Sequence, residues 1–363
     1  MNDRERQHGL RDVARRAEVS LGTVANVYAG KATVSPETRA VVLAAAAELG
    51  YQPRPRVLNS PPSVTNLAFI VRYRLAPLTN PFYSHVLYGA EAACAVEGIS
   101  LSYEVLPAPP DDALHLPRIV QRKQVQGVLV VGYVHPAVVA QLQHAGMPCV
   151  LVDYSTEPPT ADSVRGDDER GGYLATRYLL DHGHNDPPPA IIVGLLDHPS
   201  IAERYAGYRR ALTEGGFVPP DHFVRLGDLG LDSGYTQMSA LLALPVPPTA
   251  VFCANDETAQ GALSALHAHH IAVPEGCAVI GYDDVDQAAH AIPPLTTIRV
   301  DKDLLGAQAV RMLLERIASP HMTLRQMRLT VSLVERQSVE YRSAGHDDRS
   351  SIARRDETIP VAP

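Results

Sequence analysis

Apolar residues recur along this chain at two spacings, and the change between them falls near residue 66. From Leu10 to Ala17, Val13, Ala14 and Ala17 share one face of a predicted helix. Ser20 is a good N-cap for a second helix running to Val27 or Tyr28. Val19, Val24 and Val27 can pack back on the first helix, and Ala14 is small enough to let the two axes approach. A third helix is predicted from Ser35 as N-cap with Pro36 at its first position. Its apolar residues Val41, Val42, Ala45, Ala46 and Leu49 again fall at helical spacing. Two short helices joined by a tight turn form a helix-turn-helix unit, whose second helix enters the DNA major groove.

Residues 53–65 read as a proline-rich linker. After it, short unbroken apolar runs alternate with amphipathic stretches. The runs are 67–71, 99–105, 127–131, 149–152, 190–193, 250–253 and 279–282; the helices fit 82–97, 136–145, 168–182, 200–215, 232–243, 255–269 and 302–318. Strands that are apolar on both faces and separated by helices imply a parallel sheet covered on both sides. There are enough units for two doubly wound α/β subdomains. The segment 343–363 is polar, charged and proline-punctuated, and is expected to lack structure.

The formal charge of -8 argues against DNA binding until it is divided along the chain. Residues 1–60 carry nine Lys/Arg and six Asp/Glu, so a basic head precedes an acidic body. The four cysteines (94, 149, 253, 277) form no CxxC pair and read as buried thiols. No secretory leader pattern and no 18-residue apolar run are present, so a cytoplasmic protein is expected, with no membrane partner. Neither a nucleophile elbow, nor a P-loop, nor a zinc spacing occurs, so no enzyme activity, cofactor or metal is expected. His182 and His184, and the run from His267 to His270, sit at predicted helix ends, where His complements the dipole. Asp283 and Asp284, adjacent on an extended strand, are expected to point to opposite faces.

Asp12-Val13-Ala14, Val19-Ser20, Thr23-Val24, Val34-Ser35, Thr38-Arg39 and Leu49-Gly50-Tyr51 together resemble the start of LacI-family transcription regulators. The resemblance resumes at Asn80-Pro81-Phe82-Tyr83 and continues through Ala254-Asn255-Asp256, Val279 to Asp284 and Pro294 to Ile298. It implies a helix-turn-helix head at 8–52 and a periplasmic-binding-protein-like body of type I at 66–340. One subdomain is expected from 66–163 plus 296–322, the other from 164–295 plus 323–340. It also implies a homodimer on a pseudo-palindromic double-stranded operator. In the family the positions of Leu21, Gly22 and Asn26 touch base edges. Leu21 suits a thymine methyl, and Asn26 suits adenine N6 and N7. Thr23, Lys31, Thr33, Thr38 and Arg39 are better placed for phosphates. Glu18 stands where relatives usually carry Gly. In the linker, Ser60 falls where relatives wedge a Leu into the minor groove, and Leu58 can substitute only with a two-residue slip.

Ligands of open parallel sheets bind beyond the carboxyl ends of the strands. Asp153, Asn255 and Asp283 follow apolar runs there, and Arg204 lies near a helix start. These positions match polar effector contacts in the family. Such groups can fork hydrogen bonds to adjacent hydroxyls, so a sugar-like small molecule is the first expectation. Phe82 and Tyr83 can form a stacking wall. Lys302 stands where some relatives place an aromatic, which implies a more polar pocket favouring an acidic group. A nucleoside or purine, a protein effector, and a solute-binding protein without DNA function are the alternatives.

Overall fold

The computed structural model describes residues 10–28, 34–49, 51, 64–72, 80–106 and 116–342. Lys31, Thr33 and the linker residues Leu58 and Ser60 lie outside them, as does the tail from 343. The chain divides into two units, 1–63 and 64–363.

In the first unit, α1 (Leu10–Arg16), α2 (Leu21–Tyr28) and α3 (Pro36–Glu48) enclose a small core of Val13, Ala14, Ala17, Val24, Val27, Val42, Ala45 and Ala46. Ser20 Oγ accepts from the Thr23 N–H at 3.0 Å, and Ser35 Oγ from the Thr38 N–H at 3.2 Å, so α2 and α3 each start on a serine cap. Glu18 in the turn has φ 53°, the left-handed geometry that favours glycine.

The second unit contains two sheets. In chain order its elements are β1 (Asn66–Arg72), α4 (Pro81–Val96), β2 (Ser100–Leu106), α5 (Arg118–Gln121), β3 (Val128–Val131), α6 (Pro136–His144), β4 (Cys149–Val152) and β5 (Asp162–Gly166). There follow α7 (Asp168–Asp181), β6 (Ala190–Val193), α8 (Pro199–Glu214), β7 (Val224–Leu226), α9 (Leu231–Leu242), β8 (Ala250–Cys253), α10 (Asp256–Ala268) and β9 (Ala278–Asp283). The last are α11 (Asp286–His290), β10 (Thr296–Arg299), α12 (Lys302–Ala318), β11 (Gln326–Leu329) and β12 (Ser332–Val334). The first sheet has the order β11-β5-β4-β3-β1-β2, all parallel. The second has the order β12-β10-β9-β8-β6-β7, parallel except for β12. Each sheet is apolar on both faces, with one large cluster shared by both sheets and one further cluster on each. Each fully buried Leu, Ile or Phe in them contributes about 1.5–3 kcal/mol by leaving water.

The chain crosses between the sheets three times, at 166–168, 299–302 and 329–332. This corrects the expected partition. Thr296–Arg299 pairs in the second sheet although 296–322 was assigned to the first subdomain. Gln326–Leu329 pairs in the first sheet although 323–340 was assigned to the second. The cause is that β5, β10 and β11 carry polar residues and give no apolar run. β5 is buried along its whole length because its charges are paired. Asp162 accepts from Arg316 at 2.8 and 3.0 Å, and Arg165 bonds Glu203 through both nitrogens of its fork. Among the described residues no helix is long and apolar enough to cross a membrane.

Candidate functional site

Between the two sheets lies a cavity of about 350 Å³. All six residues expected around a ligand line it: Phe82, Tyr83, Asp153, Arg204, Asn255 and Asp283. They arrive there from different elements for local reasons. Asn80 caps α4 by accepting from the Tyr83 N–H at 3.2 Å, which turns Phe82 and Tyr83 inward. Asp153 follows β4 with φ 70°, and Asp283 ends β9 with φ 106°. Arg204 sits on α8, which packs closely on α7. A Cβ on Gly172 would fall 2.1 Å from the Arg204 carbonyl oxygen, so only glycine permits this approach.

Arg204 is the electrostatic centre. Its Nε donates to Asp168 Oδ1 at 2.9 Å and its Nη1 to the Ala254 carbonyl at 2.6 Å, while its guanidinium carbon lies 3.8 Å from the Tyr282 ring centre. Its Nη2 is 3.4 Å from Asp283 Oδ1, an ion pair in which that oxygen makes no hydrogen bond. Burial works against the Arg204 charge, but Asp283 and Asp168 more than offset it and raise its pKa. The carboxylates cluster around this cation and are themselves desolvated. Burial, with the charge of Asp168, pushes Asp153 up to about 7. Burial also pushes Asp283 up to about 7 against the pull of Arg204. Tyr83 Oη donates to Asp153 Oδ2 at 2.7 Å, and burial raises the phenol well above its ordinary range. Asp153 and Asp283 therefore each hold a proton for part of the time near neutral pH.

Several lining residues were not anticipated. Arg72 ends β1, Tyr133 and Leu195 follow β3 and β6, and His198, Asp197 and Asp228 lie on loops or caps without an apolar run to mark them. Tyr133 and His198 rings are 5.6 Å apart. Burial, with Arg204 and Arg72 nearby, lowers His198 to about 3, so its ring is neutral.

One expectation, for Lys302, changes, and those for Asn255 and for the Asp283-Asp284 pair gain detail. Asn255 is already engaged: its oxygen accepts from the Thr258 N–H and its Nδ2 donates to the Leu229 carbonyl, both at 3.0 Å. It fixes the loop carrying Asp228 and Leu229 against α10. Lys302 does not line the cavity; its Nζ donates to the carbonyls of Asp283 at 2.6 Å and Asp284 at 2.9 Å. The preference for an acidic ligand that it suggested is withdrawn. Asp284 has φ 53°, so the pair is not extended, and its carboxylate is held by Arg299 and Arg336, each at 2.6 Å.

In the head, Leu21 is 46% exposed at the start of α2, Gly22 is exposed beside it, and Thr23 and Asn26 are half-buried. Thr23 and Thr38 hydroxyls bond their capping serines at 2.8 and 3.0 Å. Arg39 Nη1 donates to the Val27 carbonyl at 3.0 Å, so this side chain braces α3 against α2.

Comparison with known proteins accounts for both units. Residues 9–54 match the profile described as bacterial regulatory proteins, lacI family, and residues 176–339 match the periplasmic binding protein-like domain. The ribose operon repressor of Escherichia coli (strain K12) is 36% identical over 338 residues, covering 91% of this chain and 99% of the relative. The solved complex of the transcriptional regulator CelR with cellobiose is 31% identical with a TM-score of 0.68, covering 91% of this chain and 99% of that one. The Lac repressor dimer bound to operator and the anti-inducer ONPF is 28% identical with a TM-score of 0.68, covering 92% and 100%. With a head and a body that both match over nearly their whole length, the chain belongs to the LacI family of bacterial transcription regulators.

Proposed function

We propose that the protein is a dimeric repressor whose hold on a pseudo-palindromic operator is set by a neutral, polyhydroxyl sugar in the cleft. The observation that carries this is the charge balance of the cavity wall. Five carboxyl groups face it (Asp153, Asp197, Asp228, Glu257 and Asp283). Of the cations, Arg204 is committed to Asp168, Asp283 and a carbonyl, Arg72 Nη1 donates to the Tyr133 carbonyl at 3.3 Å, and His198 is neutral. A sugar's hydroxyls can donate to these carboxyl groups or accept from their protonated forms, whereas a phosphate or carboxylate ligand adds negative charge to a wall that already carries Asp197, Asp228 and Glu257. The relatives named for ribose and solved with cellobiose agree with a sugar. A nucleoside is the second reading, because the aromatic residues Phe82 and Tyr133 line the cavity and a base can pack on such rings.

Leu21, Gly22 and Asn26 are proposed to read bases, and Thr23 and Thr38 to meet phosphates. The relative solved as a dimer on its operator supports two heads on two half-sites. The site is read as binding without turnover, since its acids are held by protein partners rather than poised beside a nucleophile. A thermal-shift screen against sugars, sugar phosphates, nucleosides and purines tests the reading. A ligand of the native state raises the melting temperature. A free sugar is expected to do so and its phosphate ester is not; a shift with only the ester refutes the charge argument.

A further inference from the structure

Lys302 is the first residue of α12 and only 8% exposed, yet it faces neither water nor the cavity. An ammonium has three donors and no acceptor. Here the three have three carbonyl partners: Asp283 at 2.6 Å, Asp284 at 2.9 Å and Val300 at 3.4 Å. Two of these belong to residues with left-handed backbone, Asp283 at φ 106° and Asp284 at φ 53°. Non-glycine residues keep such conformations only where the surroundings over-determine them.

The surroundings do so from both halves of the body. From the second sheet's side, Arg299 and Arg336 grip the Asp284 carboxylate, and Asp256 accepts from the Val285 N–H at 2.9 Å. Lys302 comes from the other side. Its helix packs on α4 and on the first sheet, and it stands two residues past the Val300 crossover. The carbonyls it holds belong to the end of β9 in the second sheet.

We propose that Lys302 is a positioning residue for Asp283. By binding the carbonyls of 283 and 284 it keeps the left-handed turn that aims the Asp283 carboxylate into the cleft. Because it does so from the opposite half, the placement of that carboxylate depends on how the halves are set. This rests on the reading of the cleft as the effector site.

The test uses the full chain. Lys302→Met keeps the stem and removes every donor. Two quantities are measured: calorimetric affinity for D-ribose as probe, and hydrogen exchange of the amides at 281–286 without ligand. The expected result is at least about tenfold weaker binding, together with about tenfold faster exchange confined to 281–286, while α4 and the rest of α12 keep wild-type protection. Unchanged affinity with unchanged exchange overturns the proposal. So does a rise in exchange spread evenly over α4 and α12, which marks a general packing role. If the wild-type protein does not bind D-ribose, that choice of sugar fails by itself and the exchange comparison alone decides the role of Lys302. Should Lys302→Met not fold, Lys302→Gln keeps two donors and carries the same comparison, with intermediate exchange expected.

Discussion

Replacing Asp283 with Asn should make the protein more stable at pH 8 while removing its response to effector. Asp283 is 7% exposed, and its Oδ1 has an ion pair to Arg204 at 3.4 Å but no hydrogen bond. Burial, opposed by Arg204 and reinforced by Asp256 and Asp168, raises its pKa from 3.8 to about 7. The native state then keeps a proton that the unfolded chain releases near pH 4. The sign follows: this group's stabilisation is complete below pH 4 and is lost as pH climbs toward 7. At about 1.4 kcal/mol per unit, the loss has a ceiling of roughly 4 kcal/mol. Asn imitates the protonated form at every pH. Against that gain stands one weakened partner of Arg204, which retains Asp168 at 2.9 Å and the Ala254 carbonyl at 2.6 Å. The net expectation is about 1–2 kcal/mol at pH 8, or roughly 2–8 °C in melting temperature for a body of this size. At pH 5 the gain should vanish. Scanning calorimetry of both proteins at pH 5 and pH 8 reads this directly. A variant that is destabilised more at pH 8 than at pH 5 would refute the account of a carboxylate short of positive charge.

Gly172→Ala would place a methyl 2.1 Å from the Arg204 carbonyl oxygen and force α7 away from α8; urea denaturation should show a loss of about 2–3 kcal/mol, and sugar affinity should fall with it. Glu18→Gly should stabilise the head by about 0.5–1 kcal/mol, seen as a higher melting point of its transition, because φ 53° strains only the side chain that has a Cβ. Asn26→Ala should relax one A·T position of the operator by about 1–3 kcal/mol in a binding-site selection, and an unchanged selected sequence would remove Asn26 from the base-reading set.

How much of this was legible in the sequence depended on whether apolar residues did the work. The cores of both units were, because Val13, Val24 and Val42, or the runs at 149–152 and 250–253, must be buried whatever surrounds them. Asp153, Asn255 and Asp283 were legible as positions, since they follow such runs. Their partners were not. β5 is a strand of Asp, Ser, Val, Arg and Gly that only its contacts to Arg316 and Glu203 make buriable. The same blindness displaced two subdomain boundaries, because the crossovers at 299–302 and 329–332 flank the polar strands β10 and β11. Lys302 shows the limit most clearly: at that position a cation suggested an acidic ligand, whereas its partners are three carbonyls of the chain itself.

A ligand can shift a conformational equilibrium only through contacts that differ between the states. The cleft meets that condition, because its ligand-facing groups are divided between the halves. Tyr83 and Asp153 come from the first, Arg204 and Asp283 from the second. Among the described residues, the links that already join them include Ser200 Oγ to the Asp153 carbonyl, Glu203 to Arg165, and Lys302 to the end of β9. Two of these, at Ser200 and Glu203, lie on α8 within a turn of Arg204, so a sugar bound to Arg204 and Asp153 at once adds to bonds already in place. A compound that touches Arg204 without Asp153 or Asp283 would occupy the second half, shift the melting curve and leave operator affinity where it was. Comparing operator affinity with the thermal shift across a series of sugars therefore separates occupants from effectors. If every sugar that binds also changes operator affinity in proportion, the division of contacts between the halves is not what transmits the signal.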